Sequence, residues 1–472
     1  MRVFDTPNSR VPEVHLLSNG RYHLAISNAG GGYSRWRDLA VTRWREDGTR
    51  DCWGTFIYLR DASTGEFWSI PYQPTLLPTE QYEVIFAGAR AEYRRRRGSL
   101  EMGMEICLSA EDDVEMRRVT LTNHSETPRL IELTTYAEVV LAVSGADAAH
   151  PVFSNLFVQT EFVRTNSTIL CTRRPRSEAE MRPWLFHTMV GEEGAKDEIS
   201  WETDRARFVG RSRTPISPAA MQDHSPLSGT VGSVLDPIVS LRRTFGLAPR
   251  QTARVDFVFG VTETRETALA LAKKYHDRNA VDLCFDLART DVALSESGVT
   301  DAEAQIYAQM AGALIYADPA KRAASNVLLT NRRGQSGLWK YGISGDLPIA
   351  LVRLSDPAKI QVVKQLVQAH SYWRIKALPV DLVVLIEKVS DSPQLLYDQI
   401  VSLIGPGRKA ELLDKPAGIF LRYLDQLPSQ DLVLLQSAAR IVLTDENEGS
   451  AEQRDSDERP DLSVFEIGRA HV

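Results

Sequence analysis

Aromatic and charged side chains are concentrated in segment 28–44, which reads Asn-Ala-Gly-Gly-Gly-Tyr-Ser-Arg-Trp-Arg-Asp-Leu-Ala-Val-Thr-Arg-Trp. Consecutive glycines allow a backbone to bend tightly and to approach a ligand closely. Flat aromatic rings stack on the apolar face of a sugar, and guanidinium and carboxylate groups form forked hydrogen bonds to hydroxyls or phosphate. The segment therefore predicts a carbohydrate-binding site. Its candidate residues are Tyr33, Arg35, Trp36, Arg37, Asp38 and Trp44.

The same segment has an alternative interpretation as an ordinary β-hairpin. In that arrangement the tryptophans belong to the core and the arginines are solvated. Composition alone leaves both interpretations open, because a short motif is only a hypothesis until its structural context is known.

A second candidate site lies in the glycine-rich segment 334–348. Aromatic and polar side chains on loops are accessible to ligands, so Gln335, Trp339 and Asp346 form a candidate contact for a sugar or for a neighbouring domain. The alternative is a rigid turn between domains in which Trp339 is buried, since large aromatic residues often belong to cores.

Other kinds of chemistry lack their sequence signatures. The chain has no Walker motif, no His-Glu-x-x-His and no dinucleotide-binding glycine pattern, and its Gly-x-Ser segments lack the last glycine of a nucleophile elbow. The four cysteines have no metal-ligand spacing and are expected to be reduced and mostly buried. We therefore expect no cofactor and no metal.

Composition places further limits on the kind of protein. The chain has 472 residues, of which 43% are hydrophobic, so two or three domains with substantial cores are expected. A net charge of −7 argues against a nucleic-acid partner, which would require a basic face. Neither a signal peptide nor an apolar run of membrane length is present, and the sequence predicts a soluble chain on the cytoplasmic side.

Hydrophobic periodicity divides the chain into a β part and an α-containing part. Residues 1–262 alternate with a period of two and predict two large antiparallel sheets, including strands at 82–86, 91–108, 114–122 and 130–141. Residues 263–324 change to a helical period and predict a helical linker, with a capping box at residues 300–303. Residues 325–444 predict a small mixed α/β or mostly helical accessory domain.

The last residues differ in composition. Residues 445–472 are acidic and polar, which is typical of a disordered tail. The final segment 466–472, Glu-Ile-Gly-Arg-Ala-His-Val, is similar to the translation of a common DNA-sequencing adapter and is predicted to be an assembly scar.

Several segments carry a resemblance to a known family. They are 11–23, 28–44, 51–61 (Asp-Cys-Trp-Gly-Thr-Phe-Ile-Tyr-Leu-Arg-Asp), 155–160, 171–177, 334–339 and 342–348 (Gly-Ile-Ser-Gly-Asp-Leu-Pro). Together they resemble the cyclic β-1,2-glucan synthase family, in the region related to the glycoside phosphorylases once called glycosyltransferase family 36, now glycoside hydrolase family 94. The similarity extends to about residue 444.

The resemblance implies a β super-sandwich that precedes a helical barrel. In such phosphorylases an acid on the barrel protonates the leaving oxygen while phosphate attacks. The chain has no Gly-Asp-Trp-Asn-Asp-like segment, so no catalytic residue is assigned and the chain alone is expected to be an inactive fragment.

The expected role is carbohydrate binding and positioning within a larger glucan synthase anchored in the inner membrane. The expected partners are a β-glucan oligosaccharide, the missing C-terminal helical barrel and a second copy of the chain. The alternative is a structural or dimerisation module without sugar contact, or a complete small phosphorylase.

Overall fold

The computed structural model describes residues 1–177, 180–191, 194–290, 299–387, 393–404 and 409–444. It divides into two compact units, Met1–Gly298 and Val299–Val472. The predicted tail 445–472, with the predicted scar 466–472, lies outside the described residues. Among the described residues, no helix combines the length and the apolar character needed to cross a membrane.

The first unit consists mainly of β-strands. Its strands are β1 (Arg2–Phe4), β2 (Val14–Ser18), β3 (Tyr22–Ser27), β4 (Gly32–Trp36), β5 (Leu39–Thr42), β6 (Thr55–Asp61), β7 (Phe67–Ser69), β8 (Gln81–Ala87), β9 (Arg90–Arg97), β10 (Leu100–Leu108), β11 (Val114–Asn123), β12 (Arg129–Val143), β13 (Val158–Val163), β14 (Thr168–Arg173), β15 (Trp184–Val190), β16 (Ser200–Asp204), β17 (Pro237–Leu247) and β18 (Thr252–Thr262). Its helices are α1 (Ser144–Ala149), α2 (Pro151–Asn155), α3 (Arg205–Val209), α4 (Arg265–Lys274) and α5 (Arg278–Thr290).

These strands form two antiparallel sheets in the described residues. The first sheet has the order β1-β8-β9-β10-β11-β18-β15-β14-β13. The second has the order β16-β17-β12-β5-β4-β3-β2, and β6 pairs with both β12 and β7. Their facing side chains form one large hydrophobic core, which confirms the prediction of two large antiparallel sheets.

Alternation along the strands explains which side chains enter this core. On β10, Met102, Met104 and Ile106 are buried, whereas the residues between them are more accessible. The predicted strand 91–108 is in fact the hairpin β9–β10, because Gly98 adopts a positive φ of 55° in the turn between the two strands.

The arginine run 94–97 on β9 is only partly solvent-facing. Arg94 and Arg96 are exposed, but Arg95 is only 2% exposed. Its guanidinium donates to the carbonyl oxygens of Ser69 (2.5 Å) and Leu77 (2.6 Å), so backbone acceptors compensate for its loss of water.

The first two helices of the predicted linker pack on the first sheet. Ala268 and Ala272 of α4 and Phe285 of α5 are buried in a cluster with Met116 and Val258 of the sheet. The boundary between the two compact units, at residues 298 and 299, lies inside the predicted linker 263–324.

The second unit is an α/β structure. Its strands are β19 (Ile349–Leu354), β20 (Asp381–Ile386), β21 (Ile419–Tyr423) and β22 (Ile441–Thr444). Its helices are α6 (Asp301–Tyr316), α7 (Ser325–Thr330), α8 (Ile360–Ile375), α9 (Pro393–Ile404), α10 (Lys409–Leu412) and α11 (Ser429–Ala438). The described strands pair in parallel in the order β21-β20-β19-β22. This arrangement confirms the predicted small α/β structure after the β part.

Local sequence signals account for the start of two helices. Thr300 and Glu303 form the predicted capping box of α6. At Asp356, the side chain accepts from the backbone amide of Ala358, and a short 3₁₀ turn over Pro357–Lys359 leads into α8.

A carboxyl group is buried at the beginning of β20. Asp381 is 1% exposed, and its Oδ1 accepts from the backbone amide of Ala417 at 2.8 Å. Its Oδ2 has no hydrogen-bond partner among the described residues. Burial, with a smaller contribution from the charge of Asp346, raises the pKa of Asp381 to about 6.

The raised pKa predicts a pH-dependent stability of the second unit. The folded state binds the Asp381 proton more tightly than the unfolded state, so the contribution is complete below about pH 4 and is lost as the pH rises to about 6. A shift of about two pKa units corresponds to at most about 3 kcal/mol. Urea unfolding of Asp381→Asn should lack this decline, whereas the exposed control Asp301→Asn should retain it. Parallel pH curves for Asp381→Asn and the unsubstituted chain would contradict the assignment.

Candidate functional site

Three of the predicted carbohydrate-binding residues meet at one cavity of the first unit. Tyr33, Arg35 and Trp44 all line a pocket of about 250 Å³. The Arg35 guanidinium lies 4.6 Å from the centre of the Tyr33 ring, and the Tyr33 and Trp44 rings meet edge to face at 5.6 Å. The Trp44 side chain is half-buried, so part of its ring borders the pocket.

The alternation of β4 determines which candidates reach this pocket. Successive side chains of a strand point to opposite faces, so Tyr33 and Arg35 share one face while Ser34 and Trp36 share the other. Ser34 Oγ donates to Glu115 Oε2 at 2.6 Å in the interior. Trp36 is 1% exposed in the sandwich core, and its Nε1 donates to Asp113 Oδ2 at 2.7 Å.

The burial of Trp36 corrects its expected role, because a core indole offers no face to a sugar. Arg37 and Asp38 are exposed at the turn after β4 and do not line the pocket. The Arg37 guanidinium lies 4.6 Å from the centre of the Trp36 ring and pairs with Glu263 at 2.6 Å. These three candidates are therefore separated from Tyr33, Arg35 and Trp44.

The glycine run before β4 serves a close approach between two chain segments. A Cβ atom on Gly31 would lie 1.8 Å from the Asp51 carbonyl oxygen, and one on Gly32 would lie 1.9 Å from the Ala25 carbonyl oxygen. The three glycines are buried. At Gly31 and Gly32, the absence of a side chain lets the backbone lie against the backbone of Asp51 and Ala25. These contacts are within the protein, and they do not support the predicted approach to a ligand.

The opposite wall of the pocket comes from α1. Asp147 is 1% exposed, and its Oδ2 accepts a hydrogen bond from Arg45. Its Oδ1 is buried without a hydrogen-bond partner among the described residues. Asp147 is therefore a nearly buried carboxylate in the pocket wall, and its Oδ1 is closed off from solvent.

A buried ion network lies directly behind the pocket. Arg43 is 7% exposed and donates from Nη1 to Glu138 Oε2 at 2.5 Å and from Nη2 to Asn155 Oδ1 at 2.6 Å. The same guanidinium lies 3.2 Å from Asp236 Oδ1 and 3.6 Å from Asp147 Oδ2. Arg43 thus links the end of β5 to β12, to both short helices and to the segment before β17.

A larger cavity begins on the other side of this network. It has a volume of about 460 Å³, and its lining includes Arg43, Tyr136, Glu138 and Arg205. Glu138 Oε1 accepts from Tyr136 Oη at 2.7 Å and from Arg205 Nε at 2.8 Å. Since Arg43 lines both cavities, the network forms a shared wall between them.

The charge states in this wall follow from competing effects. Burial alone would raise the pKa of Glu138, but Arg43 and Arg205 outweigh burial and hold it below its usual range. Burial and the neighbouring Glu138 charge raise the pKa of the Tyr136 hydroxyl well above its usual value. The network therefore contains an ionised Glu138 that accepts from a neutral Tyr136.

Sequence inspection missed this network. Along β12, Ile131, Leu133 and Ala137 enter the hydrophobic core, whereas Tyr136 and Glu138 lie on the opposite face. The alternation of apolar and polar residues in this long strand was the available signal. It does not identify Arg43 or Arg205, which come from distant parts of the chain.

The second predicted site lies in the second unit and has a different geometry. Gln335 Nε2 donates to Asp346 Oδ1 and to the Ser344 carbonyl oxygen, both at 2.8 Å. Trp339 Nε1 donates to the same carbonyl oxygen at 3.2 Å, but Trp339 remains 63% exposed. Exposure contradicts the alternative of a buried Trp339. The amide and carboxylate are already paired with each other, so the indole is the accessible element of this site.

The buried network predicts a large stability difference between two carboxylate substitutions. Glu138→Gln leaves the buried Arg43 without its shortest carboxylate contact and should lower the unfolding free energy by about 3 kcal/mol. Glu161→Gln breaks a half-exposed pair with Arg265 and should cost less than about 1 kcal/mol. Chemical denaturation of both variants measures the difference, and equal small losses would refute the structural role of Glu138.

Neither unit offers a metal centre among the residues that the structure describes, since no group of three or more His, Cys, Asp and Glu side chains is placed to hold an ion. The described cysteines are free thiols, and Cys107, Cys171 and Cys284 are buried.

Comparison with known proteins connects this fold to carbohydrate enzymes. The chain is 35% identical over 445 residues to the cyclic beta-(1,2)-glucan synthase NdvB of Rhizobium meliloti (strain 1021), which covers 94% of this chain and 16% of the relative. It is 25% identical over 288 residues to an N,N'-diacetylchitobiose phosphorylase of Vibrio furnissii, covering 60% of this chain and 35% of that protein. It is 24% identical over 277 residues to a solabiose phosphorylase of Paenibacillus borealis, and this match covers 58% of this chain and 35% of that protein.

The chain thus spans only a minor part of each of these relatives. The sequence similarity to the synthase extends over both units, whereas the similarity to the phosphorylases covers less of the chain. The predicted resemblance is confirmed, and it supports a carbohydrate-related role. Residues 1–278, more than half of the chain, match the family described as "Glycosyl hydrolase 94, supersandwich domain", and the chain belongs to that family.

Proposed function

We propose that the first unit binds a β-glucan chain at the pocket formed by Tyr33, Arg35 and Trp44. The observation that carries the proposal is the meeting of these three side chains at one cavity. The half-buried Trp44 ring suits the apolar face of a sugar, while the adjacent Arg35 guanidinium suits hydroxyl groups.

The charge balance behind the pocket favours an uncharged ligand. Three guanidinium groups, those of Arg43, Arg45 and Arg205, face three carboxylates in one connected network. The carboxylates are Glu138, Asp147 and Asp236. Paired charges of equal number leave little net field for an anion or a cation. A neutral polyhydroxylated molecule satisfies hydrogen bonds there without disturbing the pairs.

The names of the relatives suggest the larger context. We propose that the chain positions a β-1,2-glucan for glycosyl transfer or phosphorolysis-like trimming by a parent protein, with a helical barrel as its intramolecular partner. The similarity to a cyclic beta-(1,2)-glucan synthase supports this choice of glucan. In that parent, the units described here would lie on the cytoplasmic side of a membrane-anchored protein.

Calorimetric titration with linear β-1,2-gluco-oligosaccharides tests the binding role. Saturable binding is expected, and Trp44→Ala should weaken it about tenfold, because loss of one aromatic stacking contact removes about 1.5 kcal/mol. Trp339→Ala removes an exposed indole from the second unit and serves as the matched control. It should leave the affinity unchanged.

Two results would overturn the assignment. One is the absence of saturable binding at millimolar oligosaccharide. The other is a loss of affinity in Trp339→Ala with none in Trp44→Ala, which would place the glucan at the second unit.

A structural module is the second candidate function, because an apolar patch is exposed beside the pocket. Val143, Val152 and Phe153 are 51%, 76% and 60% exposed, and Leu156 is 40% exposed. These residues lie on and around α1 and α2. Clusters of exposed apolar side chains are typical of protein interaction sites.

Association of two chains through this patch makes a separate prediction. If the patch is a dimer interface, light scattering should show a dimer that Phe153→Glu converts to a monomer, since a buried charge opposes association. Leu329→Glu, at a 73% exposed leucine of the second unit, is the control and should remain dimeric. A monomer at all concentrations would exclude dimerisation through this patch.

A further inference from the structure

A third cavity of the first unit differs from the glucan pocket in its charge. It has a volume of about 940 Å³ and is bordered by the hairpin β13–β14, by β15, by β16 and β17, and by the end of α4. It therefore opens where the edges of the two sheets face each other, and none of its lining residues lines the glucan pocket.

Cationic side chains dominate the lining of this cavity. Arg164, Arg243, Lys273 and Arg278 line it, whereas Glu198 is the one carboxylate among the described lining residues. Within the described part of the chain, Arg164, Arg243 and Lys273 form no ion pair with a carboxylate. Elsewhere, the buried Arg43 and Arg118 are paired with carboxylates. Among the described lining residues, cationic side chains therefore outnumber carboxylates.

Local contacts hold two of these guanidinium groups in place. Arg243 donates from Nε to the Asp197 carbonyl oxygen at 3.0 Å and from Nη1 to the Gly191 carbonyl oxygen at 3.2 Å. The Arg164 guanidinium lies 5.1 Å from the centre of the Trp201 ring, and that ring also stacks on Phe162 at 3.6 Å. Fixed cations bind an anion with a smaller loss of side-chain entropy than mobile ones.

Hydrogen bonds also fix the part of the cavity wall that contains His276. His276 Nε2 lies 2.8 Å from the Asn166 carbonyl oxygen and 3.1 Å from Thr188 Oγ1. These contacts anchor the end of α4 to the β13–β14 turn. The backbone segments that carry Lys273 and Arg164 are therefore held near each other by hydrogen bonds within the protein.

We propose that this cavity binds a small organic anion through a phosphate or carboxylate group. Planar guanidinium groups form forked hydrogen bonds to both kinds of oxyanion, and the ammonium group of Lys273 adds a further donor. A single inorganic anion fills only a small part of the cavity, whose volume lies in the range of sites for larger small molecules. The site is independent of the glucan pocket and does not rest on the proposed glucan role.

Pyrophosphate and malonate are suitable probes for calorimetric titration of the full chain, with glucose as the uncharged control. Either anion should bind saturably, and higher salt should weaken the binding by screening. Lys273→Gln should weaken it roughly fivefold to tenfold, as expected for one charge-assisted hydrogen bond. Arg164→Gln should act in the same direction.

The neighbouring lysine provides a matched control. Lys274 follows Lys273 on α4, but it pairs with Asp112 at 2.7 Å and does not line the cavity. Lys274→Gln and Trp44→Ala should therefore leave anion binding unchanged. The proposal is overturned if neither anion binds at millimolar concentration, if Lys273→Gln binds as tightly as the unsubstituted chain, or if both lysine variants lose affinity equally.

Discussion

The first unit depends on the burial of one guanidinium group among carboxylates. Arg43 is 7% exposed, and transfer of such a charge from water is unfavourable unless paired hydrogen bonds replace its hydration. Glu138 and Asn155 provide the shortest of these bonds, and Asp236 provides another. This requirement fixes α1 and α2 against the sheet, and it thereby creates walls of both the pocket at Tyr33, Arg35 and Trp44 and the larger cavity beside it.

The long strand β12 makes this arrangement compatible with a hydrophobic core. One face contributes Leu133 and Ala137 to the sandwich interior, whereas the other contributes Tyr136 and Glu138 to the polar wall. β12 pairs with β6 up to Ala137 and with β5 from Val139, and the β12–β5 pairing has a register shift between Val139 and Ala142. β12 therefore pairs with strands in both parts of the second sheet, and Glu138 lies where its partner changes from β6 to β5.

The sequence predicted the classes of structure better than the positions of individual side chains. Period-two alternation was sufficient for the antiparallel sheets, and the capping box at Thr300 was sufficient for the start of α6. The sequence analysis grouped Tyr33 and Trp36 in one site, although alternation places them on opposite faces of β4. It did not reveal which face is accessible, because the neighbouring strand β3 is buried on both faces and lacks an amphipathic pattern.

The candidate site was predictable only where its residues are neighbours in the chain. Tyr33, Arg35 and Trp44 were identified because they lie in one short segment, and the structure brings them together. Asp147 and Glu138 are distant in sequence, and only the fold brings them to Arg43. The glycine run was assigned to a ligand, although its contacts are with the backbone of Asp51 and Ala25.

The central claim is that the pocket between Tyr33, Arg35 and Trp44 holds a glucan chain. A crystal structure of the full chain with a linear β-1,2-gluco-oligosaccharide tests it most directly. The claim predicts density for a glucose ring in van der Waals contact with the Trp44 indole and a sugar hydroxyl within hydrogen-bond distance of Arg35. An ordered oligosaccharide bound elsewhere, with this pocket unchanged, would contradict it.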